Sequence, residues 1–398
     1  LTNFTRQSPL SFPAVVTSIL HLFKESVEFN LHKLFVDLEG NTITGSAFSQ
    51  ARYKINAFFF KDLTDLVRMG YDSSNKLLWK GHLLIAGDGS TLNLPPSKEI
   101  EEDFQAYSTT NDGTSTYLAR TFFLYDVLND FVLHGEMSNM KVGEKTLLVN
   151  ALKLDFPKES IFLLDRGFGH FTTIKELSVR KKDFCVRLPN MSNFTENCLE
   201  RSEDDFLVTW NPSPKELKNC KINDLEATPM PMRIVKVLLN NGEIELLATS
   251  LIDQKKYTKK DIEKLYHYRW GAEEGFKNYK SKMKVEQFGA RKTQGVLQEF
   301  YAHIFNMNLV GLFGQQADKC IKEKTKHRKL IYQYNWQTAF RILREKITDW
   351  LVGKEVELLI ERMINAMSQS MTAVKPNRSF ARDSRNMKKK LRVTQFYK

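Results

Sequence analysis

The sequence predicts an α/β protein, with a mixed-sheet core interrupted by a β-rich insertion and flanked by helices at both ends. Three observations predict it. Two short apolar runs, 83–86 and 160–164, each deliver an aspartate to a bend that carries glycine, as buried strands do. Between Pro189 and Leu251 the pattern changes to short strand-type segments. Before residue 76 and after residue 261, apolar side chains recur at helical spacing.

In order, Phe12, Val15, Val16, Ile19, Leu20 and Phe23 share a helix face, and a break follows at Glu39-Gly40-Asn41. Thr44 offers an N-cap for a helix through Phe48, Ala51, Ile55 and Phe58, with Ser49, Gln50, Arg52 and Lys54 expected outside. A short turn followed by a polar helix suits a helix-turn-helix DNA reader and, equally, a plain helical bundle. Leu83-Leu84-Ile85-Ala86-Gly87-Asp88-Gly89-Ser90 reads as a buried strand ending in a carboxylate, closed by Thr91 to Pro96. After the polar loop Asn111-Asp112-Gly113, residues 118–127 and 131–136 read as a hairpin turning at Asn129-Asp130. A helix over 143–152 leads to Ser160-Ile161-Phe162-Leu163-Leu164-Asp165-Arg166-Gly167, which repeats the strand-then-Asp device. An Asp before Gly is ordinarily a turn former, so each alone says little. A helix over 171–180 and a strand over 183–188 complete this part.

In the insertion, residues 206–210 and the hairpin 233–249, turning at Asn240-Asn241-Gly242, read as strands, the last rejoining the main sheet. Helices are expected over 294–313 and 335–350. The stretch 319–329 and the tail 375–398 are basic. This divides the chain into residues 1–75, a core over 76–320 with its insertion at about 189–250, and residues 321–398.

The stretch 265–280 is unlike a structural helix. Tyr266, Arg269, Glu273 and Lys280 follow at intervals of three, four and seven, and at about 100° per residue they fall within an arc of roughly 60°. One carboxylate, two cations and a phenol thus share a face, flanked by Trp270, Phe276 and Tyr279. The plain alternative is a solvated face with an Arg269–Glu273 pair one turn apart. Asp88, Asp165 and Glu273 together make a hard-oxygen donor set suited to magnesium or manganese, and two such ions can clamp an in-line phosphoryl transfer.

Other chemistries find no support. The 398 residues, 42% hydrophobic, suffice for two or three domains with cores. No apolar run is long enough to span a bilayer, no signal-peptide pattern appears, and a cytoplasmic protein is expected. The chain begins at Leu1, so further residues are expected to precede it. Cys185, Cys198, Cys220 and Cys320 form no CxxC pair, and there is no HExxH, GxSxG or P-loop. His82, His134 and His170 lie near expected strand ends as ordinary boundary residues, His170 being the nearest to Asp165. A net charge of +12 and a pI near 9.3 suit a polyanion such as nucleic acid, and also a membrane surface.

Asp-Gly-Ser-Thr at Asp88, Asp-Arg-Gly-Phe at Asp165 and Tyr-x-x-Arg-Trp-x-x-Glu-x-x-Phe-x-x-x-Lys from Tyr266 to Lys280 resemble the DDE triad and Tyr-Arg-Glu-Lys signature of bacterial insertion-sequence transposases. The resemblance extends from Ser46-Ala47-Phe48-Ser49-Gln50-Ala51-Arg52 to Lys375-Pro376-Asn377-Arg378-Ser379; Ala272 departs from it, standing where relatives often have a bulky aliphatic residue. It implies a ribonuclease-H-like core behind a helical DNA-binding domain at 1–75. It also implies Asp88, Asp165 and Glu273 as catalytic residues holding two Mg2+ ions, with Mn2+ able to substitute. Tyr266, Arg269 and Lys280 would contact phosphates, and Trp210 would be a stacking platform for a flipped base if the second strand is cut through a hairpin. The partners implied are double-stranded DNA, as transposon terminal inverted repeats and target, and a second copy in a homodimer. The action implied is cut-and-paste transposition at the bacterial nucleoid. Two other classes stay open: a catalytically idle DNA-binding descendant, which would have little reason to keep acids that repel phosphate, and a ribonuclease-H-like nuclease without strand transfer.

Overall fold

The computed structural model describes residues 3–374, apart from 23–25, 40–42, 110–112, 114, 191, 240 and 354. Phe23, Gly40-Asn41, Asn111-Asp112, Asn240 and the basic tail from Lys375, all used in the reading above, lie outside the described residues. Four helices open the chain: α1 (Phe12–Leu20), α2 (Val27–Glu39), α3 (Gly45–Arg52) and α4 (Phe58–Asp72). Ser11 caps α1 by accepting from Ala14 N, and Thr44 caps α3 by accepting from Ala47 N, as its position predicts.

The core follows with β1 (Leu83–Asn93), α5 (Lys98–Phe104), β2 (Ala106–Thr109), β3 (Ser115–Asp126), β4 (Phe131–Asn139), α6 (Glu144–Ala151), β5 (Ser160–Leu164), α7 (Phe171–Val179) and β6 (Asp183–Arg187). The insertion holds α8 (Asn193–Glu200), β7 (Asp205–Trp210), α9 (Pro214–Ile222), β8 (Met230–Leu238) and β9 (Ile244–Thr249). Then come α10 (Lys259–His267), α11 (Trp270–Lys277), a π-helical turn (Asn278–Lys282), α12 (Thr293–Thr325), β10 (Ile331–Tyr334), α13 (Trp336–Val352), α14 (Val356–Gln369) and β11 (Met371–Val374).

Among the described residues one nine-stranded sheet runs β2-β3-β1-β5-β6-β9-β8-β7, with β4 also on β3. Strands β5 and β6 lie parallel to β1, while β3 and β4 form an antiparallel meander beside it. A mixed sheet of this kind, with an antiparallel meander beside parallel strands, is what the sequence predicts of the core. The insertion extends it, because β9 pairs antiparallel with β6 from Cys185↔Thr249 to Arg187↔Leu247.

The two sheet faces build two cores. Leu84, Ala86 and Leu92 of β1, with Ile161 and Leu163 of β5, pack with α1, α10, α11, α12 and α13. Their strand neighbours Leu83, Ile85, Phe162 and Leu164 pack with α6, α7 and the insertion. Period-two alternation assigns each side chain to one or the other. Helix α12, with 33 residues, is the shared wall: Asn308 exchanges hydrogen bonds with Val132 N (2.7 Å) and Val132 O (3.0 Å) on β4, and Asn306 donates to Leu20 O at the end of α1 (2.9 Å).

Several expectations change. The insertion is not purely β-rich, since α8 precedes its first strand and α9 lies between β7 and β8; the signals were local, with Ser192 and Thr195 around one start and Ser213-Pro214 with Glu216 around the other, each a reciprocal capping box. The helix expected to run from Thr44 through Phe58 stops at Arg52. Arg52, expected outside, is 4% exposed, because its guanidinium is bound to Gln298 (3.0 Å), Glu299 (3.1 Å) and Gly295 O (3.2 Å) of α12. Removing one partner of such a buried pair leaves an uncompensated charge, so Arg52→Ala is expected to cost about 3–5 kcal/mol. The check is the urea midpoint, which falls in Arg52→Ala and is partly restored when Glu299→Gln is added.

Candidate active site

Strand register brings the first two carboxylates together. On β1 the pairing with β5 ends at Gly87↔Leu164, so Asp88 and Asp165 are the next residue on each of two parallel strands. Both continue the alternation of the α11 face: Asp88 follows Leu84 and Ala86, and Asp165 follows Ile161 and Leu163. Asp88 was expected at the end of its strand but sits in the middle of eleven residues. Strand β3 pairs with β1 as far as Asn93↔Leu118, so β1 ends at Asp88 only on its β5 side. Gly87 is small for a reason: a Cβ there would come within 2.7 Å of Leu164 Cδ2. Each carboxylate is steadied by a following amide, Asp88 Oδ1 accepting from Gly89 N and Asp165 Oδ1 from Gly167 N, both at 2.9 Å.

Glu273 arrives on α11, which lies close against β3. A Cβ on Gly271 would stand 3.0 Å from Val127, and one on Gly275 would stand 3.0 Å from the Tyr125 ring, so two glycines a turn apart permit the approach. Phe276 stacks on Phe123 with centroids 4.7 Å apart. The buried Ala272 lies on the same docked side, and a bulky aliphatic residue is not needed there.

The single continuous helix face expected for Tyr266, Arg269, Glu273 and Lys280 is not what forms. Helix α10 ends at His267, α11 begins at Trp270, and the chain widens into a π turn that contains Lys280. Three of the groups remain linked, and the fourth is tied to β1. Arg269 Nη2 donates to Glu273 Oε1 at 3.0 Å and lies over the Tyr266 ring at 5.6 Å, while Lys280 Nζ donates to Thr91 O of β1. Tyr266 is 7% exposed, and burial holds its phenol well above the usual range, so its ring supports Arg269 instead of meeting solvent. Thr91 was invisible as a partner in the sequence, because its carbonyl is recruited from a strand far away in the chain.

Trp210 is a correction. It is 3% exposed, its face stacked on Phe194 at 4.2 Å and its ring edge-on to Phe171 at 5.6 Å, so the face needed for a flipped base is taken by the core. His170 stands outside the carboxylate site, its electrostatic neighbours being Lys145, Glu216 and Lys215.

The electrostatics of Asp88 follow its burial first and its acidic neighbours second. Burial, then the Asp165 carboxylate and more weakly Glu273, push Asp88 up to about 7, against the opposing pull of Arg269 and the Gly89 amide. Among the described residues no three His, Cys, Asp or Glu side chains converge closely enough to hold a metal ion. Full convergence was expected; instead Glu273 Oε1 pairs with Arg269 Nη2 at 3.0 Å. The donor chemistry nonetheless fits a divalent cation, being all oxygen, with one carboxyl whose charge the surroundings resist until a cation offsets it.

Residues 79–309, more than half of the chain, match the family described as Transposase DDE domain, and the chain belongs to it. A curated relative is the transposase InsG for insertion sequence element IS4 of Escherichia coli (strain K12), 20% identical over 294 residues. That match takes in 72% of this chain and 65% of InsG, so the chain spans just under two thirds of that relative's length. A cryo-EM structure of the piggyBac transposase synaptic complex with hairpin DNA superposes with a TM-score of 0.48 at 11% identity, over 100% of this chain and 83% of that one, a likeness too distant to inform the site. No helix among the described residues is long and apolar enough to cross a membrane.

A raised carboxyl pKa means that the folded state holds a proton the unfolded chain has lost, so stability falls as pH rises from about 4 to about 7. Asp88→Asn removes this dependence. In metal-free buffer its melting temperature is expected to gain on the wild type across that window and to stay ahead above it; parallel melting curves from pH 4 to pH 8 would contradict the crowding of Asp88.

Proposed function

We propose that the protein is a DNA transposase that cleaves at transposon ends and transfers the freed strand into target DNA, with Asp88, Asp165 and Glu273 as its catalytic carboxylates. The observation that carries this reading is the β1–β5 register, which sets Asp88 beside Asp165 on the face that α11 supplies with Glu273. Membership of the transposase DDE-domain family and a net charge of +12 support it.

In this reading Asp88, Asp165 and Glu273 hold divalent ions, two Mg2+ with Mn2+ as a substitute, which would supply Lewis-acid activation of water and of a 3′-hydroxyl. The chain's own residues do the rest. Asp88 and Asp165 present fixed oxygens from neighbouring strands, and Arg269 holds Glu273 ready on the facing helix. A nearby phosphate competes for Arg269, whose Nε is buried without a partner. Lys280, anchored on β1 through Thr91, carries positive charge to the rim, where a strand end would lie. Tyr266 keeps the guanidinium in place. The duplex itself is read by the N-terminal helical domain, where Ser46 and Gln50 on α3 and Lys54 in the turn after it are exposed. The working form is a homodimer, each site acting on an end held partly by the other subunit.

The test uses a plasmid carrying the inverted repeats that flank the gene, with Mg2+ or Mn2+. Cleavage and joining are expected from the wild type, and losses of roughly 10³-fold or more from Asp88→Ala, Asp165→Ala or Glu273→Ala. Tight binding with no metal-dependent product would instead mark an idle DNA-binding descendant, and cutting without joining a nuclease. Lys280→Ala is expected to weaken end binding and to lower the salt slope of log Kd by about 1, read by anisotropy across a salt series.

A further inference from the structure

Arg233 heads the side chains that the fold buries completely, at 0% exposure within β8. A buried guanidinium is tolerated when its donors are matched, and here they are. Nε and Nη2 donate to the two carboxylate oxygens of Asp205 at 2.6 Å each, and Nη1 donates to Tyr257 O at 2.6 Å and Leu251 O at 3.3 Å. Asp205 opens β7, whereas Leu251 and Tyr257 lie in the connection from β9 to α10. One side chain therefore ties the far strands of the insertion to the segment that leads into α10 and α11. Gln254 adds a bond to Asp205 at 3.0 Å, and Lys259, at the start of α10, reaches Asp204 at 3.2 Å.

The tie continues to the catalytic strand. The Tyr257 hydroxyl meets His82 Nε2 at 2.7 Å, and its ring stacks on Trp79 with centroids 5.9 Å apart, both just ahead of β1. Thr258 and Asp261 close a reciprocal cap on α10, and Lys80 bonds Asp261 at 2.7 Å. The beginnings of β1 and α10 are thus held in one place, and Arg233 is where the insertion enters it.

We propose that Arg233 is a positioning residue that fixes the angle at which α10 and α11 leave the sheet, so that the insertion sets where Glu273 stands relative to Asp88. Its catalytic consequence rests on the transposase reading. Across the break between them, α10 and α11 carry the chain at most about 20 Å from Lys259 to Glu273, so a tilt of about 3° or more in this two-helix segment moves the carboxylate by about 1 Å. A misplacement of that size costs on the order of 10²-fold in rate. Lysine keeps the charge but cannot bond Asp205 twice and two carbonyls at once.

The experiment compares Arg233→Lys with Lys236→Met. Lys236, on the same strand and 5% exposed, gives its ammonium to the carbonyls of Leu199 and Arg201 within the insertion, and so serves as the structural control. Hydrogen exchange over residues 259–277 is measured without DNA, and single-turnover cleavage of the repeat-bearing plasmid is measured across a Mn2+ titration. Arg233→Lys is expected to speed exchange in that segment by roughly tenfold and to slow cleavage by roughly 10- to 100-fold. It should raise the half-saturating Mn2+ concentration and leave affinity for the end DNA within about twofold. Lys236→Met should leave all of these near wild type. Matching exchange and rates in the two variants overturn the proposal. If Arg233→Lys does not fold, Asp205→Asn must show the same pattern in milder form, and its failure to do so is equally decisive. A wild type that cuts no DNA with either ion sinks the transposase reading, while exchange over 259–277 still decides the clamp.

Discussion

Two carboxylates on adjacent parallel strands, facing the same way, are the constraint that the rest of the structure serves. Burial first, and then the neighbouring Asp165 carboxylate, oppose the charge on Asp88, and the fold bears this because the strands beneath the two aspartates are locked in two cores. Leu84, Ala86, Ile161 and Leu163 anchor one face and Leu83, Ile85, Phe162 and Leu164 the other, so neither strand can slip by a residue without turning its apolar set outward. The cost is therefore kept as a carboxyl pKa raised by burial first and by Asp165 second, and not relieved by a change of register.

The helical side of the site answers that charge. Arg269 lies between Glu273 and Asp88 in its electrostatics: burial works against its charge, and Tyr266, Glu273 and Asp88 more than offset it. Reaching this position costs the helix its continuity. The break between α10 and α11 and the π turn at Asn278–Lys282 bend one helical stretch so that Gly271 and Gly275 meet β3 while Lys280 reaches β1. Local irregularity is what lets one segment dock by its glycines and still present its charges.

The insertion and the terminal helices act as scaffolding on opposite flanks. The insertion lengthens the sheet past β6 and reaches the start of α10 through Arg233, while α12 gathers the N-terminal helices through Arg52 and closes over β4 with Asn308. Each tie uses a buried polar group whose partners lie on another element, which fixes one arrangement where apolar contact alone would accept several.

The sequence by itself determined the local units: apolar strands that lead into Asp88 and Asp165, the β3–β4 and β8–β9 hairpins, the Thr44 cap, and the one-turn pairing of Arg269 with Glu273. These follow from periodicity and turn chemistry within about ten residues, and the caps of α8 and α9 belonged to the same legible set. The tertiary structure alone decided which faces are inside. Arg52 read as outward-facing and Tyr266 as a phosphate contact, yet Gln298 and Glu299 cover the one and the Arg269 guanidinium lies over the other. It also decided that Asp88 lies within its strand and not at the end, since only β5 stops there while β3 pairs onward. A side chain's burial depends on what arrives opposite it from far along the chain, and no spacing between neighbours encodes that arrival.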